Sequence, residues 1–224
     1  MMRGLALTLA ALLAVCSLAA AASDKQPHKP AQKQAQKQSA AADDSTEGFL
    51  NLYVELCVRH FGELEEFRAR LLREKLPKLA PEQAKLFLSG MAGDAWPVPY
   101  KGKMGNYVLA LPAGKNLCLL HAHRANAGAI EQGFLAITAD APKPMVATRG
   151  PSRDKLSVDK IKMRTVSSTW APPGARRKME FMLTTTASPK AELQALGSVA
   201  MVAGDGPATP MKEKRAAPAP TQRR

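Results

Sequence analysis

From Phe49 the apolar residues return at the spacing of a helix: Phe49, Leu50, Tyr53, Val54, Cys57 and Phe61 fall along one side. Asp44-x-x-Glu47 has the form of a capping box ahead of this run, and Gly62 that of a stop. A second helix is predicted over about 63–75, with Leu64, Phe67, Leu71 and Leu72 inward and Glu65, Glu66, Arg68, Arg70 and Arg73 outward. Leu76-Pro77 ends it. Pro81 opens a third helix, PEQAKLFLSG, that stops at Gly90. The next stretch, GDAWPVPYKGKMGN, reads as an extended, turn-rich connection, because Pro97 and Pro99 fix an extended path and the glycines supply turns.

At Tyr107 the period changes to two. YVLALP and NLCLLHAHR flank Ala113-Gly114-Lys115 and predict a β-hairpin. Asn126 can cap a helix that turns Ile130, Phe134 and Ile137 inward. PMVATRG predicts a strand, and IKMRTVSSTW and RRKMEFMLTTT predict two longer ones joined through APPGA. In the first of these, Ile161, Met163 and Thr165 form the expected core face and Lys160, Lys162 and Arg164 the wet face. In the second, Met179, Phe181 and Leu183 are inward, and Lys178, Glu180 and Met182 outward. A last strand is expected at about 193–202, LQALGSVAMV. The order predicts a single α+β domain, with helices packed on one face of an antiparallel sheet of five or six strands.

The ends of the chain read differently. Arg3 precedes an apolar run, Leu5 to Leu18, and small residues Ala19 to Ala22. This is the pattern of a secretory signal peptide over 1–22, cleaved before Ser23. The competing reading, a retained membrane anchor, asks for about 20 apolar residues, more than this run offers. Leu13-Ala14-Val15-Cys16 also resembles a lipobox, which would anchor the protein through lipid on Cys16; Val15 and the apolar residues beyond the cysteine depart from that pattern. Residues 23–46 and 204–224 are built from Lys, Gln, Ala and Pro. Such composition cannot bury enough apolar surface to offset its ordering entropy, so both are expected as linker and tail around a domain at 47–203.

Charge narrows the partners. The chain carries a net charge of +13, and residues 47–203, with 22 basic and 14 acidic side chains, hold +8 of it. A basic exported protein meets anionic envelope components first. Nucleic acid fits poorly: aromatics are 5% of the chain, too few for a stacking platform, and no nucleic-acid-binding motif is present. Beyond Cys16, two cysteines remain, Cys57 and Cys118. In an oxidising compartment they have one intramolecular pairing, and two separately buried thiols are the alternative. Without a C-x-x-C, a redox pair is disfavoured.

Little else looks chemical. In NLCLLHAHRAN, strand alternation puts His121 and His123 on one face and Cys118, Leu120 and Ala122 on the other, so cysteine and histidines cannot share a site. Zinc asks for a third protein ligand. His28 falls in the linker, which leaves His60, drawn near by a disulfide at Cys57, as the third member of a His60, His121, His123 constellation. No nucleophile elbow, H-E-x-x-H or phosphate loop occurs, and no cofactor motif. Trp96, between a glycine-rich turn and two prolines, reads as a plug beneath the loop or as a contact residue for a ligand or protein.

As a set, several motifs resemble uncharacterised exported proteins and lipoproteins of proteobacteria: FL…CV and LP-x-L-x-P-E-x-A within 49–84, FLSGMAGDAWPVP at 87–99, YVLALPAGKNLC at 107–118, and W-x-P-P-G-A…F-x-L-T-T…LQALGSVA at 170–200. The resemblance spans most of 49–203. It implies an exported protein with no assigned activity, and aromatic or arginine residues in place of His121 and His123. The expectation is a non-catalytic module that binds a protein or an anionic envelope component, through Trp96 and a basic face of Lys160, Lys162, Arg164 and Lys178. A periplasmic enzyme using His121 and His123, with or without metal, is the alternative.

Overall fold

The apolar stripe that begins at Phe49 folds as helix α1, which covers 44–52 and widens into a π-helical turn, Tyr53–Val58, before a short 3-10 turn at Phe61–Glu63. This computed structural model describes residues 44–204. The expected signal peptide, Cys16, the expected linker up to residue 43 and the expected tail from 205 lie outside the described residues. Residues 44–46, expected in the linker, are helical. Asp44 and Glu47 also act beyond any cap: both carboxylates bond the Lys101 amine, and Asp44 bonds Lys103 as well. These lysines hold both carboxyls below their ordinary range.

Helix α2, Leu64–Arg73, ends with the chain turning back on itself: Lys75 N–H donates to Leu72 O and Leu76 N–H to Leu71 O. Lys75 takes the left-handed conformation this Schellman turn requires, at φ 54°, where glycine is usual. Helix α3 is Pro81–Phe87 and α4 is Ala127–Ala139, the latter capped by Asn126, whose side chain accepts from Ala129 N–H. The strands are β1 Gly93–Tyr100, β2 Lys103–Pro112, β3 Leu117–Ala122, β4 Val146–Arg149, β5 Arg153–Leu156, β6 Lys162–Ala171, β7 Arg177–Thr185 and β8 Ala195–Ala203. They form one antiparallel sheet in the order β1-β2-β3-β8-β7-β6-β4, with β5 pairing the other half of β6. No helix among the described residues is long and apolar enough to cross a membrane.

The α+β class is as the pattern predicts, but the sheet has eight strands rather than five or six. β1 was hidden by its prolines, which an edge strand tolerates because it need donate in one direction only. β5, Arg-Asp-Lys-Leu, has no apolar alternation to read and is exposed throughout. The helices also divide. α1, α2 and α4 cover one face, where Phe49, Tyr53, Phe134, Phe181, Leu120 and Val199 form the main core. α3 lies on the other face, where Phe87 and Leu88 meet Val108, Ala110 and Leu119.

Two contacts fix the main layer. Tyr53 Oη donates to Ser198 O at 2.7 Å, and Gly197 beside it leaves room for the rings, since a Cβ there would stand 3.0 Å from both Phe49 and Tyr53. At the far end, Trp170 Nε1 donates to Thr138 O at 2.7 Å, and Thr138 Oγ1 lies 3.0 Å from Ser168 Oγ. Thr138 thus takes the inward place expected for Ile137, which is half-buried. The expected Cys57–Cys118 disulfide is formed across a Cα–Cα distance of 5.4 Å, tying the π turn of α1 to β3.

Candidate functional site

Helix α2 does not close completely against the β1–β2 hairpin. Between them lies a groove of about 370 Å³ in which every lining residue is apolar. Phe67, Leu71 and Leu76 form the helical wall, and Trp96, Val98 and Met104 the sheet wall. Local geometry on both sides sets the lip. The Schellman turn at Lys75 throws Leu76 outward, leaving it 45% exposed. In the hairpin, Val98 pairs Tyr107 while Tyr100 pairs Lys103, so residues 104–106 face Pro99 alone. Gly105, at φ 96°, absorbs the extra chain, the alternation breaks, and Met104 comes to the groove 58% exposed.

Trp96 belongs to both the core and the groove wall. Its side chain is 3% exposed, within the main core, and it also lines the groove. Its indole N–H is buried with no acceptor among the described residues. An unpaired buried donor is unusual enough in folded proteins to mark a site worth testing. Polar groups below the groove are spent on structure. Asp94 accepts from Arg68 and Lys78, and Glu65 accepts from Arg68 and from Gly114 N–H. The Gly114 amide and the Arg68 guanidinium hold the Glu65 carboxyl below its usual range.

The expected basic face does not assemble. In β6 the buried positions are Val166, Ser168 and Trp170, so Lys162 and Arg164 belong to the helix-covered side, not to a wet face opposite Met163 and Thr165. Arg164 spans Glu131 on α4 and Asp154 on β5, and Lys162 approaches the same Asp154 at 3.9 Å. Lys160 sits in the preceding turn at φ 58°. Lys178 precedes Met179 in β7 and projects from the opposite face, near Thr169 and Ala171.

The histidines do not converge either. His121 and His123 point toward α3, both edge-on to Phe87. His121 is buried and donates Nε2–H to Phe87 O at 2.9 Å; His123 Nδ1 lies 3.1 Å from Glu192 O. His60 is on the other side of the sheet, stacked on Phe67 at 4.1 Å and bonded to Glu63 and Arg70. The sheet therefore separates His60 from the pair, and no group of three metal-ligating side chains occurs among the described residues.

Sequence reasoning found Trp96 but missed the groove around it. The available signal was a set of apolar residues with no periodic element to belong to: Leu76-Pro77, Pro97-Val98-Pro99 and Met104. Comparison with protein families, with curated proteins and with solved structures finds no match to this chain.

Proposed function

We propose that this protein is an exported binding module of the cell envelope, stapled by Cys57–Cys118, that works by docking a ligand or protein in the groove lined by Trp96. The observation that carries this reading is the groove itself: a wholly apolar depression with Leu76 and Met104 standing exposed at its lip. Burying exposed apolar surface is favourable by roughly 25 cal/mol per Å², so an open groove of this kind gains from being covered. Its volume lies within the ~300–1,000 Å³ typical of ligand sites. Export is supported by the apolar run at Leu5–Leu18 with its small exit residues and by the disulfide.

Photocrosslinking in the cell tests it. With a benzophenone amino acid at position 104, the mature protein should start at Ser23, fractionate with the envelope and give a defined adduct. The same label at Val158, fully exposed and remote from the groove, should give none. No adduct at 104, or equal adducts at both positions, would overturn the reading.

A further inference from the structure

Resting on that reading, we infer that the groove binds the alkyl chain of an anionic amphiphile, with the head group held at its mouth beside Lys75. A chain of this kind asks for what the groove offers. Apart from the Trp96 indole N–H the lining supplies no polar side-chain group, whereas a protein interface ordinarily carries about ten hydrogen bonds and a polar rim. At ~30 Å³ per methylene-sized group, the share of one water in the liquid, 370 Å³ holds roughly a dozen carbons.

An extended peptide is disfavoured by the adjacent edge. Pro97 and Pro99 remove two N–H donors from β1, and Ala95 O already accepts from Leu79 N–H. Strand addition along that edge therefore has no continuous ladder to join.

The head-group side follows from charge. Lysines adjoin the lining residues in sequence: Lys75 before Leu76, Lys78 after Pro77 and Lys103 before Met104. Lys78 is paired with Asp94 and Lys103 with Asp44. Lys75 is exposed and has no ion-pair partner among the described residues. An ammonium one residue from Leu76, on the lip of an apolar slot, favours a carboxylate or phosphate on the end of the chain.

Calorimetry on the purified exported chain decides this, using dodecanoate and dodecyltrimethylammonium below their critical micelle concentrations. Dodecanoate should bind saturably near one per chain, at least tenfold tighter than the cation. Met104→Glu, at an exposed position that leaves the core intact, should abolish binding while near-UV circular dichroism stays unchanged. Lys75→Glu should cut the preference for dodecanoate about fivefold or more, the scale of one charge pair at the surface, and leave chain binding in place. Absent dodecanoate binding, equal binding of the cation, or binding that survives Met104→Glu would each overturn the inference. If position 104 still crosslinks to an envelope protein while dodecanoate fails to bind, the chain inference falls and the docking reading stands. If neither occurs, both fall.

Discussion

His121 donates its Nε2–H to the Phe87 carbonyl and leaves Nδ1 buried without a partner. A charged imidazole there would lose its hydration and gain little, so burial pushes its pKa down to about 4; the Phe87 carbonyl opposes the shift and nearby His123 adds to it. Above pH 6.5 the ring is neutral in both folded and unfolded chains, and nothing is lost. As pH falls below 6.5 the unfolded chain takes up a proton that the folded one refuses, so stability declines until about pH 4. Between pH 6.5 and 5 the expected loss is about 2 kcal/mol. Urea midpoints across that window should fall for the native sequence and stay level for His121→Gln, which keeps an N–H donor but cannot titrate. A matching decline in the variant would assign the loss to other groups. The same burial explains why His121 and His123 make poor metal ligands: one ring is committed to holding α3 on the sheet.

At the scale of elements, Gly197 shows how closely α1 lies on β8. Adding one methyl at this position would press on Phe49 and Tyr53, both fully buried in the main core. Gly197→Ala is expected to destabilise the domain by about 1–3 kcal/mol, read from thermal or urea unfolding, even though alanine normally suits a strand better than glycine. An unchanged midpoint would mean that the rings have room to move. The sequence carried the helical stripe from Phe49, the β2–β3 hairpin and the Asn126 cap clearly, because each rests on local periodicity or local chemistry. What it concealed depends on distant partners. The core face of β6 was misread because Ile161 and Met163 look apolar at the strand's start, while Ser168 looks polar but is buried against Thr138. Within β6 the apolar flanks Val166 and Trp170 point to Ser168's face and Met163 to the other, and the approach of α4 decides between them. α3 crossed to the second face for a similar reason: Val108, Ala110 and Leu119 form a complementary apolar patch that alternation places behind the main core. The groove is legible only when α2 and the hairpin are seen together, since its lining comes from the π turn, α2 and its turn, and both strands of the hairpin.

For the whole molecule, the decisive connection is between the helical layer and the sheet. Three contacts join α1 and its π turn to β3 and β8: the Cys57–Cys118 bond, the Tyr53–Ser198 hydrogen bond and the rings packed on Gly197. Only the first constrains the unfolded chain as well. Closing a loop between residues 61 apart removes conformational entropy worth about 4 kcal/mol in the chain-entropy account. The groove shares this anchor, because Leu56 lines it and neighbours Cys57. Cys57→Ala with Cys118→Ala should therefore leave the same fold with a lower urea midpoint, weakened by about 4 kcal/mol. It should also give a steeper denaturant dependence, since an uncrosslinked unfolded chain exposes more surface. A reducing agent should reproduce both effects in the native sequence and neither in the double variant. If the midpoint falls with no change in steepness, the bond acts through packing in the folded state, and the helical layer is then held mainly by the Tyr53 contacts. If reductant changes nothing, the cysteines are unpaired in the folded protein, and the argument from compartment to staple fails with them.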